Sequence, residues 1–104
     1  MVLETFIERE EGGERAILVF VDLYAVTRPD AKAEFVDLVD STQLITLDLI
    51  QAKRDVPDAK YFIGKGKANE IKSAVLALDA DVVIVNHNLS VAQARNLEHY
   101  LSVK

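Results

Sequence analysis

The chain has 104 residues, half of them apolar and 28% charged, which is enough for one globular domain with a real core. It contains no cysteine, which excludes a disulfide framework and a thiolate metal site. Its net charge of −5 excludes a uniformly basic nucleic-acid binder. The charge is uneven, however: residues 1–50 hold eleven acids and four bases, and residues 51–104 hold six acids and eight bases, so any contact with RNA is expected from a local patch in the second half.

Residues 1–14 are polar and acidic and carry Gly12-Gly13. They are expected to form a flexible lead-in, with a little extended structure at Val2–Ile7, ahead of a domain spanning residues 15–104. They lack the basic start and apolar run of a signal peptide, and no apolar run approaches the length of a membrane span. A cytoplasmic location is therefore expected. The mixed-charge stretch from Arg9 to Arg15 is expected to be solvated.

Ala16–Leu23, AILVFVDL, is short, branched and nearly all apolar, which suits a strand buried on both faces of a parallel sheet. Arg28-Pro29-Asp30 has the chemistry of a helix start. The helix that follows is expected to run to about Asp40 and to bury Ala31, Phe35, Leu38 and Val39. Leu44–Ile50 reads as a second strand, and residues 51–60 as a polar loop broken by Pro57. Tyr61-Phe62-Ile63 leads through Gly64 into a second helix over about Lys67 to Leu78, with Ile71, Ala74, Val75 and Leu78 inward. Asp81–Asn86 is the strongest central-strand pattern. Ser90, with Gln93 three residues on, forms a capping box for a third helix, whose apolar side is Leu97, Tyr100 and Leu101.

Strand and helix thus alternate three times, which predicts an α/β fold: a Rossmann-like three-layer domain with a small, mostly parallel sheet of three to four strands and flanking helices. A fourth strand is expected after the third helix. The chain therefore reads as truncated before its last strand, with an open sheet edge through which two copies of the fragment could pair.

Gly64-Lys65-Gly66-Lys67 is the segment with the most chemistry. Glycines allow close approach to a ligand, and a helix N-terminus presents free N–H groups and a positive dipole end. The segment is not a nucleotide-hydrolysing P-loop, which needs four residues between its glycines and Ser or Thr after the Lys; here one residue separates them and Ala68 follows Lys67. The same residues also suit a plain loop with solvated lysines, and spacing alone does not choose. Lys53 and Arg54, near Lys60, fall at the expected carboxyl edge of the sheet, where doubly wound folds bind ligands, and could converge with Lys65 on an anion or lie solvated. His87 has no partner at catalytic or metal spacing, His99 is expected on an exposed helix face, and Asp22 and Asp48 lie at strand ends. No catalytic residue and no metal ligand is assigned.

Two of these segments carry a family resemblance. YFIGKGKANEI, residues 61–71, resembles the N-terminal domain of HflX-type GTPases, and DVVIVNHNLSVAQARNLE, residues 81–98, is similar to that family's strand, turn and Arg-Asn-Leu-Glu helix. Arg54-Asp55 with Pro57 fits the loop ahead of the tyrosine. The match runs over about residues 15–104. Val91 stands where the family usually has proline. The family continues into a fourth strand, a helical hairpin and a GTPase domain that holds the phosphate-binding loop.

The resemblance implies a regulatory and ribosome-docking module of a GTP-binding protein that associates with the large ribosomal subunit and splits stalled or idle ribosomes. It implies GTP and Mg2+ for the GTPase domain and no cofactor for this chain. The implied partners are ribosomal RNA and the protein's own GTPase domain. Candidate RNA- or anion-binding residues are Lys53, Arg54, Gly64, Lys65, Gly66, Lys67 and Arg95. The alternative function is a small-nucleotide (ATP-like) site at the carboxyl edge of the sheet.

Overall fold

A computed structural model describes residues 5–8, 15–23, 28–54, 58 and 60–101. The elements, in chain order, are β1 (Thr5–Glu8), β2 (Arg15–Leu23), α1 (Ala31–Asp40), β3 (Ile45–Arg54), α2 (Lys65–Leu78), β4 (Val82–Val85) and α3 (Val91–Leu101). They build the expected α/β layers. The sheet order is β1-β4-β2-β3. Strand β2 runs parallel to both β3 and β4, and β1 joins the outer side of β4 antiparallel.

Burial explains why each run takes its shape. Six consecutive residues of β2, Ala16 to Val21, are buried, because this central strand has helices on both faces. Ala16, Leu18 and Phe20 face α1, against Ala31, Phe35 and Val39. Ile17, Val19 and Val21 face α2 and α3, against Ile71, Val75 and Leu97. The crossover through α1 and the crossover through α2 therefore cover opposite faces of the sheet, and the order reverses between β2 and β4. The predicted inward stripes of α1 and α3 hold, with Leu38 and Tyr100 half-buried. In α2, Ala68 takes the inward place with Ile71 and Val75, while Leu78 is exposed near the helix end.

One boundary differs in a way that matters for function. Residues 51–54 are not loop: β3 continues to Arg54, in register with β2 to the pair Leu23–Arg54, and buries Ala52. The polar sequence QAKR hides a strand because this is an edge strand, whose residues need only one inward side chain in two. Residues 9–14 lie outside the described residues, but Arg15, expected in a solvated stretch, begins β2 and binds the far end of α2. Its guanidinium donates to the Leu78 carbonyl at 2.8 Å and the Asp79 carbonyl at 3.1 Å. A cation there satisfies helix-terminal carbonyls and opposes the negative end of the dipole. Among the described residues, no helix is long and apolar enough to cross a membrane.

Candidate functional site

The carboxyl ends of β2, β3 and β4 lie along one edge of the sheet, and the start of α2 joins them there. Between β3 and α2 the chain makes a tight knot. Asp58 and Phe62 exchange two backbone hydrogen bonds, of 2.7 and 2.9 Å. The Ile63 N–H then donates to the Tyr61 carbonyl at 2.7 Å across Phe62, whose φ is +69°. That is a γ-turn of the strained hand, unusual at an aromatic residue. It is held because the Phe62 ring is buried, 5.5 Å from the His87 ring.

The Asp58 carboxylate fastens the same turn, accepting from the Tyr61 N–H at 2.9 Å and the Lys60 N–H at 3.0 Å. The Tyr61 bond is the main reason its carboxyl titrates below the usual aspartate range, with the Lys60 bond and the Arg54 and Lys60 charges helping and partial burial opposing. Helix α3 fixes the knot from the other side. Gln93 Nε2 donates to the Asp58 carbonyl at 2.8 Å, and Asn96 Nδ2 to the Lys60 carbonyl at 3.0 Å. Gln93 can do this because the capping box forms as its sequence predicts, with bonds of 2.9 and 3.0 Å between Ser90 and Gln93.

The knot delivers Gly64 to the start of α2 with φ +86° and ψ 157°, a conformation essentially reserved for glycine. A Cβ on Gly64 would come within 2.6 Å of Arg54 Nη1, so the Arg54 guanidinium lies directly against the turn. Arg54 and the exposed Lys65 thus sit together at the head of α2, whose first turn contains no acid. Gly66 is different: a Cβ there would meet nothing within 4 Å.

The remaining candidates are dispersed. Lys67 turns to the flank of α2 away from α3 and pairs with Glu70 at 2.9 Å. Lys53, paired in register with Asp22, lies on the α1 face of the sheet, because strand neighbours alternate and Arg54 occupies the other face. Arg95 is exposed on the outward side of α3. The expected convergence of Lys53 with Arg54 and Lys65 therefore does not form; the extra strand length of β3 sends them to opposite faces.

Asn86 and His87 directly follow β4, at the place where the strand order reverses. The Val21 N–H donates to Asn86 Oδ1 at 2.7 Å, and Asn86 Nδ2 donates to the Val21 carbonyl at 3.3 Å. His87 Nε2 is 2.8 Å from the same carbonyl, which requires its proton on Nε2. Fully buried Asn86 thus imitates a strand residue and ties the ends of β2 and β4 together, at the position where doubly wound folds usually admit a ligand. Sequence reasoning missed Asp58 and Asn86 as structural fasteners, and gave Gln93 its capping role but not its bond to the Asp58 carbonyl. For Asp58 the signal was present, since Pro57-Asp58 is turn chemistry.

Comparison with known proteins agrees with this architecture. The chain is 43% identical over 91 residues to GTPase HflX of Escherichia coli (strain K12), covering 88% of this chain and 21% of that protein. It is 37% identical over 101 residues to GTPase HflX of Lacrimispora saccharolytica, covering 94% and 23%. With GTPase HflX of Caldanaerobacter subterraneus subsp. tengcongensis the figures are 34% over 94 residues, 88% and 21%. The chain thus spans about a fifth of the length of the curated relatives it matches. A family model described as GTP-binding GTPase N-terminal matches residues 30–104, the stretch that contains α1, β3, the Gly64 turn, α2, β4 and the capped α3. The chain belongs to that GTP-binding GTPase N-terminal family.

Proposed function

We propose that this chain is the regulatory, ribosome-docking module of an HflX-type GTP-binding protein that associates with the large ribosomal subunit and splits stalled or idle ribosomes in the cytoplasm. GTP and Mg2+ belong to a GTPase domain outside this chain, and that domain is the module's second partner. The observation that carries the docking reading is the head of α2. In a chain of net charge −5, Arg54 and Lys65 lie at a helix N-terminus that has no acid in its first turn, with Lys67, paired to Glu70, on the flank beside it. Cations there oppose the helix dipole at roughly 0.3–1 kcal/mol each, a cost that an RNA phosphate would reverse. Lys53 and Arg95 lie on other surfaces and are secondary contacts in this reading.

The alternative, a small nucleotide at the carboxyl edge, has less support. At the strand reversal, the polar side chains of Asn86 and His87 are bonded to Val21, which leaves them less available to such a ligand. Co-sedimentation of the full-length protein with large ribosomal subunits tests the docking reading. Lys65→Glu with Lys67→Glu is expected to weaken association at least tenfold and to flatten its salt dependence, while Lys53→Glu, on the other sheet face, has a smaller effect. Unchanged association of the double variant, with millimolar ATP binding to this chain in a calorimeter, would replace docking with the nucleotide reading.

A further inference from the structure

The seam between α2 and α3 carries a group of side chains that the docking reading does not use. The Tyr61 and Tyr100 rings meet there with centroids 5.4 Å apart, tilted by 46°. Lys60 Nζ lies 5.3 Å from the centre of the Tyr61 ring, and Lys72 Nζ lies 4.7 Å from the centre of the Tyr100 ring. The Tyr100 hydroxyl donates to Asn69 Oδ1 at 3.1 Å, which ties the ring of one helix to the other. Both rings are half-buried, so each keeps part of its surface toward solvent.

Charge is sorted across this seam. Lys65, Asn69 and Lys72 follow at i, i+4 and i+7 along the flank of α2 that meets Tyr100. Glu70 lies on the opposite flank with Lys67. On α3, Tyr100 and Asn96 share the flank toward α2, and the exposed Glu98 falls on the side away from it by helical spacing. The seam therefore combines lysines, tyrosines and amides; its nearest helical acids point elsewhere, and the Asp58 carboxylate beside Lys60 and Tyr61 is engaged by their backbone N–H groups.

We infer that the α2–α3 seam is a stacking site for unpaired RNA bases, with Tyr61 and Tyr100 as the platform and Lys60 and Lys72 as phosphate contacts. Aromatic rings flanked by cations are the means by which proteins hold single-stranded or looped RNA, whose bases are free to stack, whereas a duplex hides its base faces. The two lysines now rest on the rings, a weak contact at an exposed position. On binding they exchange that contact for phosphate as the base takes the ring. The amides of Asn69 and Asn96 already hold the rings and the Lys60 turn in place through side-chain and backbone bonds. The inference rests on the docking reading in one respect, that the partner is RNA; it adds a second surface and a preference for unpaired bases.

The test uses the 104-residue chain and two probes at low salt: a labelled oligoadenylate of about twelve nucleotides, and the same strand in duplex with oligouridylate. Fluorescence anisotropy is expected to show the single strand bound about tenfold or more tighter than the duplex. Tyr100→Leu is expected to weaken single-strand binding by about 5- to 20-fold, in the range of lost base stacking, and Tyr100→Phe to retain it. Lys72→Gln, which removes the charge and its contact with the Tyr100 ring but leaves both tyrosines in place, is expected to lower the slope of log affinity against log salt by about 0.7. Circular dichroism establishes that each variant is folded. Leucine and glutamine variants that bind the oligomer as the parent does, or a duplex bound as tightly as the single strand, would overturn the inference and assign the seam to protein contact. That failure is separable from failure of the docking reading, because the latter is read with Lys65 and Lys67 on ribosomal subunits, and Tyr61, Tyr100 and Lys72 take no part in it.

Discussion

Replacing each glycine of the Gly-Lys-Gly-Lys segment by alanine separates what the fold needs from what a partner needs. At Gly64 the backbone has φ +86° and ψ 157°, and the added Cβ would stand 2.6 Å from Arg54 Nη1. An L-residue held there costs on the order of 1–3 kcal/mol. The clash itself is with the tip of a flexible side chain, so Arg54 can turn aside, giving up its long 3.5 Å contact with the Ile63 carbonyl. About 2–3 kcal/mol of destabilisation is expected, which for a chain of this size lowers the midpoint of thermal unfolding by roughly 8–24 °C. At Gly66 the sign reverses. The position is helical and exposed with no atom within 4 Å of the new Cβ. Alanine is favoured over glycine in a helix by up to about 1 kcal/mol, less in the first turn, so a gain of about 0.5 kcal/mol and a rise of roughly 2–4 °C is expected. Thermal denaturation followed by circular dichroism measures both. A Gly66→Ala chain that loses as much stability as Gly64→Ala would refute the geometry given for the start of α2. If Gly66→Ala is more stable yet associates less well with ribosomal subunits, the glycine is there for close approach of the partner's backbone.

Three further outcomes follow from other parts of the fold. Asn86→Leu is expected to cost about 2–4 kcal/mol in urea unfolding, because it leaves the buried Val21 N–H without its side-chain acceptor and strands the Val21 carbonyl with His87 alone. Asp58 has its folded-state pKa depressed chiefly by the Tyr61 N–H bond, so its contribution to stability is present above the ordinary aspartate value of about 4 and is lost as pH falls through the lower folded value; Asp58→Asn should flatten the acid limb of the melting-temperature profile, and an unchanged limb would contradict the assignment. Strand β3 forms one edge of the sheet over ten residues, with no outer partner among the described residues and Ile45 52% exposed; light scattering is expected to show pairing of two chains at high concentration that Ile45→Lys abolishes, and a monomer at every concentration would remove the edge as a pairing surface.

The layers of this fold were legible because local pattern and burial agree. AILVFVDL lies between two helix layers and is apolar but for Asp22, and the Ser90–Gln93 box is closed by the same two bonds its spacing implies. Strand length at the edge was not legible. Gln51-Ala52-Lys53-Arg54 offers one buried side chain, Ala52, and three polar ones, a pattern that a loop shares. Only the ladder with Asp22 and Leu23 makes it a strand, and a ladder is a long-range property that no window of the sequence contains. The acidic start was harder still, since Thr5–Glu8 joins the sheet through a partner, β4, some seventy-five residues later in the chain.

That edge-strand difference decides how the site has to be understood. A loop would leave Lys53 and Arg54 free to turn toward one ligand together; a strand gives them opposite faces, separated by the sheet. Arg54 is then committed to the Gly64 turn, and the cations able to act with it are those of α2, not its sequence neighbour. At the strand reversal Asn86 and His87 are engaged with Val21, so the outer surface of the α2–α3 layer is the proposed place of recognition. Flat, cationic surfaces with half-exposed aromatics suit an extended partner whose charge and rings repeat along a chain, and suit a small ligand poorly, because a small ligand needs concave walls to bury most of its surface. The knot at residues 58–64, fastened by Asp58, Gln93 and Asn96 and strained at Phe62, holds both parts of that surface in fixed relation: Gly64 and Arg54 at its end, Lys60 and Tyr61 in its middle. Loosening the knot at Gln93 should therefore weaken phosphate and base contacts together, whereas changes at Lys65 or Tyr100 should weaken one without the other.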